Sequence, residues 1–148
     1  MKNTILILLI FISVISCKTE ETNFTKSDLN SISFYDFDNK SITVVEITKQ
    51  WNERIQKDEE INAVITNLEI TNLTDQKNNE SELILLGNTN SNSVQTATKL
   101  TKFKDGLKLN EISVTCNNCN ISLYNGDWTC VSVKKADFCE KIETLREI

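Results

Sequence analysis

The sequence predicts an α+β domain in which one amphipathic helix is followed by an antiparallel β-meander, a C-terminal hairpin and a short helix tied by disulfides. Three observations carry this reading. Val44, Ile47, Trp51 and Ile55 recur at helical spacing behind the capping-box pair Thr43 and Glu46. From Ile61 the apolar period changes to two, and Cys116, Cys119, Cys130 and Cys139 crowd the end of the chain.

In chain order, Ile32, Phe34 and Asp36 alternate with Ser33, Tyr35 and Phe37, a short aromatic strand that runs into the polar turn "DNKS". Helix is expected from about residue 44 to 60, with Ile42 and Ile47 at the staple positions and Trp51 among the aliphatics as a core anchor. Val64, Thr66, Leu68 and Ile70 then alternate with Ala63, Ile65, Asn67 and Glu69. Such a strand is apolar on parts of both faces and is expected in the middle of a sheet. After the polar break "TDQKNNES", residues 83–86 read as a buried strand ending at Gly87, and "GNTNSNS" as a loop. Asn88, Asn90 and Asn92 are spaced like calcium ligands, but the carboxylates are missing and Lys99 stands where the distal glutamate belongs.

In the next hairpin a three-residue loop, Lys104-Asp105-Gly106, sets Phe103 opposite Leu107 and Thr101 opposite Leu109, with Gly106 left-handed. Residues 111–115 lead on to the cysteines. Asn125-Gly126 signals a two-residue turn that pairs Leu123 with Trp128 and Ile121 with Cys130, so Cys119, Ile121, Leu123, Trp128 and Cys130 share a face. Asp137 is expected to cap a terminal helix carrying Cys139, Ile142 and Leu145.

The chain begins with one lysine and an apolar run over residues 5–12, shorter than the roughly 20 residues a spanning helix needs. It reads as an export signal, removed and not packed. The run closes on Val14-Ile15-Ser16-Cys17, which resembles the lipobox of bacterial lipoproteins. The resemblance implies cleavage before Cys17, diacylglycerol on its sulfur, and a further acyl chain, such as palmitate, on its amine. Two or three chains would anchor the protein stably at about 0.8 kcal/mol per buried methylene. The following "KTEETNFTKSDLNS" is nearly free of aliphatics and reads as a flexible tether. The expected organisation is therefore a signal peptide over 1–16, the lipidated cysteine and tether over 17–30, and a single domain over 31–148. Lys18-Thr19-Glu20-Glu21 is similar to the signal that sends some lipoproteins of Bacteroidetes to the outer face of the outer membrane. The implied location is the outer membrane or cell surface.

With Cys17 assigned to lipid, an even four cysteines remain in an oxidising compartment, which favours two disulfides. A thioredoxin-type pair wants its first cysteine at a helix N-terminus, whereas Cys116 and Cys119 lie between strand-like segments. Zinc would need four thiolates at spacings whose last gap, Cys130 to Cys139, is too wide for a second knuckle, so no metal or cofactor is expected. Three pairings are open. The hairpin register puts Cys119 diagonal to Cys130, about 7–8 Å away, so that pair would need a bulge. A bridge from Cys139 to Cys116 or Cys119 would tie the terminal helix to the sheet.

The net charge is −5 and there is no histidine, which removes the commonest general base and metal ligand. An acidic chain without a lysine-arginine cluster argues against nucleic-acid binding. No catalytic residue is assigned; an envelope enzyme would have to rely on carboxylates such as Asp36 and Asp38. The plan is similar to that of small, uncharacterised lipoproteins of Bacteroidetes that end in a cysteine-rich tail. Lysozyme-inhibitor lipoproteins share the size and the staples, but their serine-glycine-x-x-tyrosine loop has no counterpart here. The resulting expectation is a binding, inhibitor or accessory module. Its partners would be the membrane, through the lipid, and an envelope protein met by the loops at residues 88–93 and 124–127.

Overall fold

The computed structural model describes residues 26–132 and 138–145; the expected signal peptide, Cys17, the first part of the tether and Asp137 lie outside them. Lys26–Ser31, the end of the expected tether, form a 3-10 helix whose Leu29 is buried in the core. The strands β1 (Phe34–Tyr35) and β2 (Ser41–Ile42) then form a small antiparallel pair.

Helix α1 spans Val44–Glu53 and is continued by a π-helical turn over Arg54–Asp58. Its start is the expected capping box. Glu46 N–H donates to Thr43 Oγ1 at 3.2 Å, and Thr43 N–H donates back to the Glu46 carboxylate at 2.8 Å. That backbone N–H, and then the Thr43 hydroxyl, hold the Glu46 carboxyl below its ordinary range. Ile47, Trp51 and Ile55 are fully buried along one stripe.

A meander follows: β3 (Ile65–Thr74), β4 (Ser81–Thr89), β5 (Val94–Phe103) and β6 (Gly106–Asn117), each antiparallel to the next. The sheet order is β2-β1-β6-β5-β4-β3, with β1 parallel to the start of β6. β3 is therefore an edge strand, not a central one. Its two-sided apolar pattern has another cause: Leu68 and Ile70 face the helix while Leu73 packs with the cluster on the other side. β4 also runs through Gly87 to Thr89, so the asparagine-rich loop is shorter than expected.

Two further expectations are corrected. The β5–β6 turn has two residues, Lys104 and Asp105, so Phe103 pairs Gly106 and Thr101 pairs Lys108. Lys104 takes the positive φ of 50°, and Gly106 is not left-handed. Gly106 is needed for a close approach: a Cβ there would collide with the Ser33 carbonyl, which accepts the Leu107 N–H at 2.9 Å. The expected terminal helix is instead a strand, β9 (Glu140–Leu145), antiparallel to the second half of β6 from Asn117↔Glu140 to Ile112↔Leu145. β6 outlasts β1 by many residues, and β9 occupies the edge that would otherwise be left open.

The molecule thus has three layers. Helix α1 covers one sheet face around Trp51, Leu85, Leu100 and Leu109. The hairpin β7 (Cys119–Tyr124) and β8 (Asp127–Ser132) covers the other with Leu123 and Trp128, against Ile84, Ala97 and Val114. The α+β class therefore holds, with more strand than a simple meander.

Candidate binding surface at the hairpin tip

The β7–β8 hairpin has the expected register, with Leu123 opposite Trp128 and Ile121 opposite Cys130. Asn125 and Gly126 both have positive φ, 55° and 83°, as a two-residue turn of this hand requires. Because Leu123 and Trp128 point into the core, their neighbour Tyr124 must point out, and it is 51% exposed.

What holds this tip is a carboxylate from a distant connection. Asp75, at the end of β3, is 1% exposed. Its Oδ2 accepts Gly126 N–H at 2.6 Å, while Oδ1 accepts the N–H groups of Asn125 at 3.0 Å, Lys77 at 2.8 Å and Asn78 at 3.3 Å. These donors, Gly126 first, pull the Asp75 carboxyl from 3.8 down to about 2. Gln76 adds a backbone bond to Leu123 O at 3.0 Å and a side-chain bond to Ser122 at 2.8 Å. Lys99 Nζ donates to Gly126 O at 3.0 Å and pairs with Glu82. Beside the turn, Lys77 Nζ stands 5.9 Å from the Tyr124 ring centre. The result is an aromatic ring with a neighbouring cation, on a turn whose backbone N–H groups are tied to Asp75, an arrangement suited to recognition.

The other expected loop differs. The side chains of residues 88–90 are turned to internal use: Asn88 bridges Glu69 and Gln95, Thr89 donates within its own loop, and Asn90 accepts Val64 N–H at 2.9 Å. Asp36 and Asp38 are likewise committed. Asp36 accepts Lys40 N–H at 2.8 Å to close the β1–β2 turn, and Asp38 pairs with Lys40 at 3.5 Å. With Asp58 and Thr144 they line an open recess of about 430 Å³.

The four cysteines form two disulfides, Cys116–Cys130 and Cys119–Cys139, with Cα separations of 5.6 and 5.4 Å. The first pins the hairpin to β6. The second holds the chain entering β9 to the hairpin's base, so of the two partners open to Cys139 it takes Cys119.

Two clusters escaped the sequence reading. Arg54 is buried in an ion pair with Glu59, whose carboxylate also accepts the Thr144 hydroxyl at 3.2 Å. Arg54 Nη2 donates to the hydroxyls of Thr96 and Thr115 under the sheet. At the β5–β6 turn, Tyr35 packs edge-on to Phe103 at 5.0 Å and donates to Asp105 at 2.6 Å, while Lys104 lies over both rings. That hydrogen bond lowers the Asp105 carboxyl and raises the Tyr35 hydroxyl. Phe103-Lys104-Asp105 at a hairpin turn was the available signal for the second cluster, but it did not name Tyr35 as the partner. The first had none, since its threonines lie on other elements. No protein family, curated protein or solved structure matches the chain.

Proposed function

We propose that the protein is a lipid-anchored lipoprotein of the outer membrane or cell surface, whose domain acts as a binding module, as an inhibitor or accessory of an envelope protein. The anchor rests on the lipobox-like Val14-Ile15-Ser16-Cys17. The recognition role rests on one observation, the exposed Tyr124 on a turn clamped by Asp75. Tyrosine supplies large amphipathic contact area at small entropic cost, and a pre-ordered turn spares the cost of ordering a loop on binding. A net charge of −5 suits a basic partner, such as a lysozyme-like enzyme or toxin, whose capture salt would weaken.

Metabolic labelling with a palmitate analogue is expected to mark the wild type and not Cys17→Ser; an unlabelled wild type would remove the anchor from the account. The mature protein is then tested at low salt against basic envelope-active enzymes by surface plasmon resonance. Tyr124→Ala is expected to weaken the complex at least about tenfold without changing the circular dichroism. Unchanged affinity would exclude the tip, and failure to bind any such enzyme would exclude the basic partner.

A further inference from the structure

The Sγ atoms of Cys116, Cys119 and Cys130 all lie within 4.8 Å of one another, and Cys139 is bonded to Cys119. Four sulfurs around one zinc at a Zn–S length of about 2.3 Å would stand about 3.8 Å apart. We infer that the reduced protein holds one zinc ion on Cys116, Cys119, Cys130 and Cys139, so that two disulfides and one tetrathiolate are alternative states of a single site.

The first requirement is that the sulfurs stay together once the bonds between them open. Here strand pairing gathers them independently of the disulfides. Cys116 lies in β6, opposite Gln95 of β5 on one side and Lys141 of β9 on the other. Cys139 immediately precedes Glu140, which pairs Asn117, and Cys119 and Cys130 are held in the β7–β8 register. A second requirement is a turn that aims the first two sulfurs to the same side. Between Cys116 and Cys119, Asn118 has a φ of 62°, and the two-residue spacing is that of a zinc knuckle. The wide spacing from Cys130 to Cys139 had argued against zinc on the assumption of a second knuckle. The fold supplies the last two ligands differently, one from β8 and one from the start of β9. Cys116 and Cys119 are fully buried, so the four-thiolate site would be closed, of the structural type with no position for substrate.

The chemistry needs a dithiol reductant. Each disulfide takes two electrons and two protons from one dithiol, which leaves as its own disulfide, giving four cysteine thiols. Zinc then replaces four protons, released to solvent, and the site carries two negative charges.

The test uses the mature protein, reduced with a dithiol under anaerobic conditions, freed of reductant and titrated with cadmium, which reports thiolate binding by ultraviolet charge transfer. Native mass spectrometry of a parallel zinc titration reads stoichiometry and proton loss. One ion per chain, four protons lost, a retained β-sheet spectrum and no uptake by the oxidised protein are expected. Cys139→Ser, reduced in the same way, is expected to bind at least tenfold more weakly with a smaller band. Absence of the band in reduced wild type, several ions per chain, or full affinity in Cys139→Ser would overturn the site. So would a reduced protein that stays unfolded with metal present.

Discussion

Asp75 and Arg54 are buried charged side chains that tie distant segments together. Asp75 is lowered from 3.8 to about 2 in the folded protein. Its carboxylate therefore stabilises the fold above about pH 4, and the contribution fades as pH falls toward about 2. Urea midpoints measured from neutral pH down to about pH 2 should fall for the wild type and fall less steeply for Asp75→Asn, already weaker at neutral pH; parallel curves would contradict the clamp. Arg54 and Glu59 form a buried pair, with side chains 7% and 2% exposed. Arg54→Met strands the glutamate and should cost about 3–5 kcal/mol in urea unfolding, much of it recovered by also changing Glu59 to leucine. Neither role was legible in the sequence. The donors to Asp75 include one 51 residues away, and a threonine bonded to Arg54 is 61 away, so nothing in the local sequence of either residue marks it as buried.

Among the elements, those specified by short-range chemistry were legible. The helix start needs only Thr43 and Glu46 with their own backbone, and the β7–β8 turn needs only Asn125 and Gly126. The errors fall where a distant segment decides. Side-chain matching alone favoured Phe103 opposite Leu107, but the Ser33 carbonyl beside β6 leaves no room for a Cβ at residue 106, so the glycine stands within the ladder. Gly106→Ala should accordingly cost about 1–3 kcal/mol and release β1, read as faster amide exchange at Leu107; wild-type exchange in the variant would contradict this packing. The last segment illustrates the same point. Ile142 and Leu145 fit a helix, yet Ile142 and Thr144 alternate with the exposed Lys141 and Glu143, which fits the strand that β6 can pair. Of the candidate surface, the tip and its outward Tyr124 could be read from the hairpin, while the carboxylate that clamps it could not.

At the scale of the whole molecule, a single sheet carries a helix on one face and a hairpin on the other, and the cysteines lock the hairpin layer and β9 to β6. The loops closed span 14 and 20 residues, so each bridge should contribute roughly 2–4 kcal/mol. Cys119→Ser combined with Cys139→Ser should lose about that much in urea unfolding while the β9 amides, paired with β6, stay protected from exchange; loss of that protection would mean that the bridge and not strand pairing holds β9. The architecture, and the metal site it implies on reduction, depend most directly on which cysteines pair. No protease site separates Cys116 from Cys119, so the decisive measurement is partial reduction and cyanylation of the oxidised protein, followed by chemical cleavage and mass mapping. Fragments joining Cys116 to Cys130 and Cys119 to Cys139 are predicted; any other pairing, or free thiols at these positions, would contradict the account.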